Sequence, residues 1–438
     1  MKAKQVFNNA KWIIICKVMQ SLIQFVVGML CARYLQPDNY GLINYAASLV
    51  AFAMPIMKLG FDATLVRELI EQPHKEKEIM GTSLVLNIIT SVFCIGGVTA
   101  FASIMNAGDS TTILVCLLYS FSLLFTACEM TQYWFQYKLI SKYSSIVMLV
   151  SYVVVSLYKI FLLITQKSVY WFAVANSLDF ALIGFTLIFI YLKKGSGFSF
   201  SFKRAKSMLS SSKHYILAAL MLVIIQNTDH IMITNMINTE ENGIYSAAIT
   251  CATAAQFIYL AIIDSFRPLI LQNKKENSPE YEVNVKRLYT ITLFLSIVQC
   301  VVLTVFAKII VQVLYGADYA ATASVLQILV WYFIFSVMGA VRNVWILAEE
   351  KQKYLWIINL SGALFNIGLN ALLIPYYGAC GAAFASLMTQ FFANFIVGFI
   401  LKPIRRNNTL ILKSLNPVFF LTEFKKIIST VAGKKKSV

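Results

Sequence analysis

Apolar residues fill this chain in long runs, and the polar residues that break them either form short connections or recur at helical spacing inside a run. Runs near residues 12–35, 42–70, 80–105, 111–136, 144–165, 169–192, 213–238, 243–271, 288–315, 320–348, 354–376 and 379–402 are each long enough to cross a bilayer as a helix. The pattern predicts an all-α polytopic membrane protein with about twelve spans. Connections such as Gln36-Pro37-Asp38-Asn39 and Asn106–Ser110 leave no room for a folded outer domain. The longest, Lys193 to Lys213, is rich in Ser, Gly and Lys and stands at mid-chain. It divides the chain into an N-terminal lobe (1–192), a linker (193–212), a C-terminal lobe (213–402) and a basic tail (403–438).

Several runs carry polar stripes that a helix facing only lipid has no use for. The first lines up Lys17, Gln20, Ser21, Gln24, Gly28 and Cys31; the second Asn44, Ser48, Lys58 and Asp62; the fourth Ser122, Thr126, Glu129, Tyr133 and Gln136. The fifth carries Tyr152, Ser156 and Lys159, the seventh Gln226, Asn227, Asp229 and His230, and the tenth Trp331, Phe335, Arg342 and Trp345. A charge at the bilayer centre costs at least ~2.5–3.5 kcal/mol, so these side chains face one another or a hydrated lumen. A shift of 202 residues also lays the first half on the second: Lys11 on Lys213, Gln24 on Gln226, Gly41 on Gly243, Ala46 on Ala248 and Asp62 on Asp264. That register predicts two six-helix lobes related by a pseudo-two-fold along the membrane normal, as in alternating-access transporters.

Composition agrees, since 59% hydrophobic residues, 13% charged residues and a mean hydropathy of +0.71 exclude a soluble domain. Most of the 37 lysines and arginines lie in alternate connections, whereas the other side holds only Arg33 and Lys167. Basic loops stay in the cytoplasm during insertion, so both termini are expected there, and the first run is read as a span rather than a cleaved signal. The net charge of +17 then reflects topology and an anionic inner leaflet, with no nucleic-acid partner. Eight cysteines without a CxxC pair suggest neither disulfides nor a metal site, and His74, His214 and His230 form no site. No Walker A, HExxH or GxSxG sequence is present, so neither an enzyme nor a catalytic residue is expected.

The cations in or at the ends of runs are Lys17, Lys58, Arg67, Lys159, Arg267, Lys308 and Arg342. Arg67, Arg267 and Lys308 are near run ends, where snorkelling explains them. Lys17, Lys58, Lys159 and Arg342 either line a lumen or pair with Asp62, Glu129, Asp179, Asp229 or Asp264. Trp134, Trp331 and Trp345 are read as interfacial belt residues, with stacking on sugars as the alternative.

The stretch Ala32-Arg33-Tyr34-Leu35-Gln36-Pro37-Asp38-Asn39-Tyr40-Gly41-Leu42-Ile43-Asn44-Tyr45, then Leu59-Gly60-Phe61-Asp62 and Val66-Arg67-Glu68-Leu69, resembles the amino-terminal signature of Wzx-type O-antigen flippases. Asn227-Thr228-Asp229-His230-Ile231-Met232-Ile233, Tyr315-Gly316-Ala317-Asp318-Tyr319, Asn366-Ile367-Gly368-Leu369-Asn370 and Gly378-Ala379-Cys380-Gly381-Ala382-Ala383 extend the resemblance over most of the chain. These proteins belong to the multidrug, oligosaccharidyl-lipid and polysaccharide exporter superfamily. The resemblance implies a flippase in the bacterial inner membrane, moving undecaprenyl-diphosphate-linked repeat units from the cytoplasmic to the periplasmic leaflet. It also implies the lipid bilayer, a polysaccharide polymerase and chain-length machinery as partners.

Carrying such a headgroup needs a wet polar path, because each uncompensated polar group in hydrocarbon costs several kcal/mol. On that reading Lys17, Lys58, Arg67, Lys159, Arg267 and Arg342 attract the diphosphate, and Gln24, Asn44, Gln226 and Asn227 hydrogen-bond sugars. Asp62, Glu129, Asp229 and Asp264 are the acids to test for ion coupling, with proton, sodium and no coupling all open and no other cofactor expected. The rivals are an ion-coupled multidrug exporter of the same superfamily, a polysaccharide polymerase or ligase, and a membrane scaffold. After Asn416-Pro417 the tail shows an amphipathic pattern, with Phe420, Phe424, Ile427, Ile428 and Val431 on one face, and is expected to lie on the inner leaflet.

Overall fold

The computed structural model describes residues 2–415, and the side chains of all of these except 2–11, 13–15, 213, 214 and 218. The amphipathic pattern expected from Phe420 onward lies outside the described residues. Among the described residues there is no strand. The helices are α1 (Lys2–Lys58), α2 (Phe61–Glu71), α3 (Glu76–Met105), α4 (Ser110–Ser120), α5 (Ser122–Glu129), α6 (Gln132–Tyr137), α7 (Ser141–Ile164), α8 (Val169–Lys194) and α9 (Phe202–Met236). They continue with α10 (Thr239–Thr253), α11 (Gln256–Lys275), α12 (Glu280–Val305), α13 (Ala307–Leu314), α14 (Thr322–Leu329), α15 (Tyr332–Ala348), α16 (Leu355–Phe391), α17 (Val397–Ile400) and α18 (Arg405–Ser414).

Among the described residues nine helices are long and apolar enough to span a membrane, or ten when α10 and α11, bent by 41°, are taken as one. Two of the nine are composite. Cys16–Glu71 runs for 56 residues, about 84 Å of ideal helix against ~30 Å of hydrocarbon, and breaks at Gln36 (φ 60°) before Pro37. Gln352–Ile400 breaks in the same way at Gly378 (φ 52°), shortly after Pro375. Each therefore covers two of the expected spans. Expected boundaries move in two places: α9 begins at Phe202, within the expected linker 193–212, and the run at 288–315 belongs to α12, which begins at Glu280 and stops at Val305, and to the separate α13. Glu280 and Glu282 lie in the first turn of α12, where acids suit the positive end of the helix, so the helix outruns its apolar segment.

The chain packs as two compact units, one of residues up to Ala247 with Gln312–Ala320, the other of Ala248–Val311 with the residues from Ala321. In the first, Phe61, Leu65, Leu69, Ile79, Trp134, Phe135, Tyr191 and Met208 form a buried core. In the second, Tyr289, Val341, Trp345, Ile404 and Ile411 belong to another. Trp134 and Trp345, expected in interfacial belts, are instead core residues, 2% and 1% exposed. Trp134 meets the edges of Phe135 and Tyr191 at 5.1 and 5.2 Å, so aromatic packing rather than lipid takes up its ring. Large apolar side chains that do face outward, such as Phe93, Ile164, Val305 and Tyr376, form the lipid-facing surface of a multi-pass membrane protein.

Residues 195–201 form an extended strap along the start of α3. Ser199 N–H donates to the Lys77 carbonyl (3.0 Å) and Ser201 N–H to Thr82 Oγ1 (3.1 Å), while Ser196 donates twice to Glu76 Oε1. Glu76 is buried and also pairs with Lys138 at 3.0 Å. Only glycine fits at Gly81, since a Cβ there would stand 2.3 Å from Ser199 N.

One corner recurs in both units. Leu139 (φ 57°) and Glu350 (φ 55°) each follow a helix that carries Trp134 or Trp345 five residues earlier. The same backbone bonds close both corners: Lys138 N–H to Trp134 O and Ile140 N–H to Phe135 O, against Glu349 N–H to Trp345 O and Lys351 N–H to Ile346 O.

Candidate functional site

The polar stripe of the second run crosses from the end of α1 at Lys58 to Asp62 in α2. Lys58 is followed by two residues of positive φ, Leu59 and Gly60, and the chain turns into α2. Gly60 is required twice over: its φ is 69°, and a Cβ would stand 2.7 Å from the Ser212 carbonyl oxygen. This turn brings Lys58 and Asp62 to the same cleft. The fourth run reaches it from the other side, stepping from α5 to α6 at Met130 and Thr131 and so presenting both Glu129 and Gln132.

The cleft is narrow, with room for about one water, and is lined by Lys58, Phe61, Asp62, Asn87, Glu129 and Tyr133, with Thr126, Met130 and Gln132 completing it. Gln132 Nε2 donates to Glu129 Oε1 (3.1 Å), and the charge of Lys58 acts on the same carboxylate. Asn87 is fully buried; its Nδ2 donates to Met130 Sδ (3.2 Å), and its Oδ1 has no partner among the described residues. Asp62 is exposed at the cleft mouth, and its carboxylate accepts the Ala63 N–H. Electrostatic contact extends inward from Glu129 to Asp179 on α8. The charge of Lys159 on α7 acts on Asp179, whose neighbours include Tyr119 and Tyr152. Two lysines, two half-buried acids and an amide oxygen without a partner among the described residues thus gather inside a helical bundle, an arrangement able to hold an ion or a charged group away from lipid.

Other residues expected in a site lie elsewhere. Arg67 pairs with Glu71 (3.7 Å) and Arg267 with Asp264 (3.0 Å), each on its own exposed helix face. Lys17, Gln24 and Gln226 are exposed on α1 and α9. Asn44 and Asn227 return their amide protons to their own helices, at Tyr40 O and Val223 O. Asp229 is buried and accepts from the Tyr245 hydroxyl at 2.5 Å. Beside it His230 Nδ1 bonds Asn242 Oδ1 at 2.7 Å, so this histidine, named in the seventh run's polar stripe but expected to form no site, is part of a polar network within the first unit. Arg342 is buried in the core of the second unit, 3% exposed, with Nη1 on the Ala393 carbonyl (3.0 Å). It faces packed helices rather than a cleft. The sequence pattern missed Asn87 and gave Asp179 only as an ion-pair partner; the one trace of Asn87 is an amide alone in the middle of an apolar run.

Residues 6–274 match the family model described as "Polysaccharide biosynthesis protein". The capsular polysaccharide biosynthesis protein CapF of Staphylococcus aureus is 22% identical over 403 residues, which cover 88% of this chain and 96% of CapF. Among solved structures, an inward-facing multidrug resistance MATE family transporter of the MOP superfamily superposes with a TM-score of 0.70 at 13% identity, covering 90% of this chain and 96% of that one. The lipid II flippase MurJ in an inward closed conformation gives 0.66 at 17% identity, covering 97% and 99%. The fold is the one these two transporters share.

Proposed function

The chain belongs to the polysaccharide biosynthesis protein family, and on that premise we propose that it moves an undecaprenyl-diphosphate-linked oligosaccharide from the cytoplasmic to the outer leaflet of the inner membrane. The observation that carries this reading is the charged interior of the first unit, where Lys58, Glu129, Asp179 and Lys159 stand among helices whose outer faces are apolar. A flippase needs such groups because a diphosphate dragged through hydrocarbon would leave its charges uncompensated. Lys58 and Lys159 are the cations assigned to the diphosphate. Sugars fall to amides, Asn87 first. In this conformation the cleft has room for about one water, so admission of the diphosphate requires the surrounding helices to part. Glu129 and Asp62 are the acids assigned to proton or sodium coupling. The likeness of the polysaccharide relative CapF over most of both chains supports the cargo class.

The same acids favour a second reading, an ion-coupled multidrug exporter, since Glu129 and Asp179 would attract a cationic drug. Reconstitution separates the two. Purified protein in liposomes with a fluorescent undecaprenyl-diphosphate oligosaccharide is expected to exchange it between leaflets, as read with a membrane-impermeant quencher. Lys58→Ala and Lys159→Ala are expected to slow exchange about tenfold or more while the protein stays folded, tenfold being about 1.4 kcal/mol. No exchange of matched glycans, together with drug resistance conferred on sensitive cells, would move the assignment to the exporter.

A further inference from the structure

α9 begins at Phe202, but the stretch of it able to cross a membrane begins only at Tyr215, so about 20 Å of helix precede the span. The inward side of this piece holds Arg204, Ala205, Met208 and Ser212, all buried in the first unit. Arg204 is committed there, its Nη2 donating to Gln72 Oε1 (2.8 Å). The other side faces open space. Lys203, Lys206, Ser207, Ser210 and Ser211 line one open hollow of about 470 Å³, ample for a phosphate and the group it is esterified to. Residues four apart share a helix face, so Lys203 stands beside Ser207 and Lys206 beside Ser210. Ser211 is taken up by Glu68 Oε1 (3.3 Å) and the Met208 carbonyl (2.9 Å). The charges acting on Glu68 are those of Arg204, Arg67 and Glu71, so its carboxylate does not serve the two lysines. Among the described residues neither lysine has an ion-pair partner, and the hydroxyls of Ser207 and Ser210 make no hydrogen bond.

Two uncompensated cations and two free hydroxyl donors side by side match the chemistry of a phosphate. The rim of the hollow decides what carries that phosphate. Phe202 is 83% exposed and Leu209 38%, and the rings of Phe200 and Phe202 meet edge-on at 4.9 Å. Phe202, Lys206 and Leu209 follow one another at spacings of four and three, so a lysine rises between two exposed apolar side chains. A free phosphate gains nothing from such a rim, whereas an amphiphile sets its headgroup on the lysines and its chains on the apolar residues. Basic residues interleaved with exposed Phe and Leu are the pattern of a helix at the boundary between headgroups and acyl chains, and an anionic leaflet attracts them. We infer that the hollow binds one anionic phospholipid of the phosphatidylglycerol type, its phosphate on Lys203 and Lys206 with Ser207 and Ser210 as donors, and its acyl chains along Phe202 and Leu209. The hollow shares no residue with the cleft at Lys58 and Glu129.

Titration of the purified full-length protein in a neutral detergent with short-chain fluorescent phosphatidylglycerol tests this, with phosphatidylcholine of the same chains as reference. Phosphatidylglycerol is expected to bind about tenfold more tightly. Lys203→Gln and Lys206→Gln are each expected to weaken it about fivefold and to leave phosphatidylcholine unchanged. Lys193→Gln with Lys194→Gln, exposed positions outside the hollow, is expected to alter neither. Equal affinity for the two lipids overturns the site. So does an equal loss in the Lys193 and Lys194 variant, which would be a general attraction to a chain of net charge +17. Displacement of the lipid by inorganic phosphate alone would make the hollow a free-anion site, and displacement by undecaprenyl diphosphate at lower concentrations than unlabelled phosphatidylglycerol would give it to the cargo; either result overturns the phospholipid assignment. The readout is binding alone, so its failure leaves the transport reading standing.

Discussion

Gly41 and Gly243 each press against the backbone on the other's side of a helix crossing: a methyl on Gly41 would stand 1.8 Å from the Thr239 carbonyl oxygen, and one on Gly243 1.8 Å from that of Pro37. The two contacts are equivalent under the 202-residue register, and Asn242 Nδ2 donates across the same crossing to Gly41 O (2.8 Å). No rotamer change relieves a clash with backbone. Gly41→Ala or Gly243→Ala is therefore expected to lower stability by roughly 3 kcal/mol or more, beyond usual overpacking. Gly28→Ala, where a Cβ meets nothing within 4 Å, is the control expected to melt as the unsubstituted protein does. Thermal melts of the three in one detergent check this.

Lys58 is the cation that acts on Glu129 in the cleft. Lys58→Met is expected to cost roughly 1–3 kcal/mol, less than the ~3–5 kcal/mol of a fully buried pair, since both side chains are half-buried. Lys58→Met with Glu129→Gln removes both charges and is expected to regain much of the loss. A double-mutant cycle by thermal unfolding reads the coupling; additive effects would show the two charges to be independent.

Burial alone would push the Glu349 carboxyl up, but Lys274 (2.7 Å), Tyr281 (3.0 Å) and Lys351 (3.9 Å) outweigh it and hold the group below its ordinary value of 4.5. A carboxylate lowered by folding binds its proton more weakly in the folded than in the unfolded state. The stability it adds is present in full above pH 4.5 and is lost as pH falls through the lower folded value. Melting temperature followed from pH 7 downward is expected to fall more steeply in the unsubstituted protein than in Glu349→Gln.

Asp109 caps α4, its Oδ1 accepting the N–H groups of Thr111 (3.0 Å) and Thr112 (3.1 Å). Asp109→Ala is expected to cost about 1 kcal/mol and Asp109→Asn much less, because asparagine caps nearly as well. Comparison of the two melting temperatures settles whether the cap acts through its hydrogen bonds.

Much of the fold was legible because hydrophobic runs and proline positions state it directly: Pro37 and Pro375 stand beside the two breaks inside composite helices. The 202-residue register revealed the Gly41 and Gly243 pair before any contact was known. The second register, 211 residues apart from Trp134 to Trp345, was not legible, because the corners it relates carry Lys138 and Leu139 in one unit and Glu349 and Glu350 in the other. Lys58 and Glu129 could be picked out as members of periodic stripes. Asn87 has no stripe and leaves no period to detect. Arg342 was misplaced in a lumen for a different reason: charge in an apolar run signals shelter from lipid, and a packed core shelters as well as a cavity does.

The strap at residues 195–201 sets an order of assembly. Its bonds to Lys77 and Thr82 join residues separated by α4 through α8, all of which emerge from the ribosome in between. Until Ser201 has been made, the start of α3 lacks the chain that packs on Gly81, and Glu76 lacks the two bonds from Ser196 until that residue is made. The first unit thus closes this end only once α8 has been made, with α9 still to follow, and a chain stalled before that point leaves the ribosome with the clasp undone.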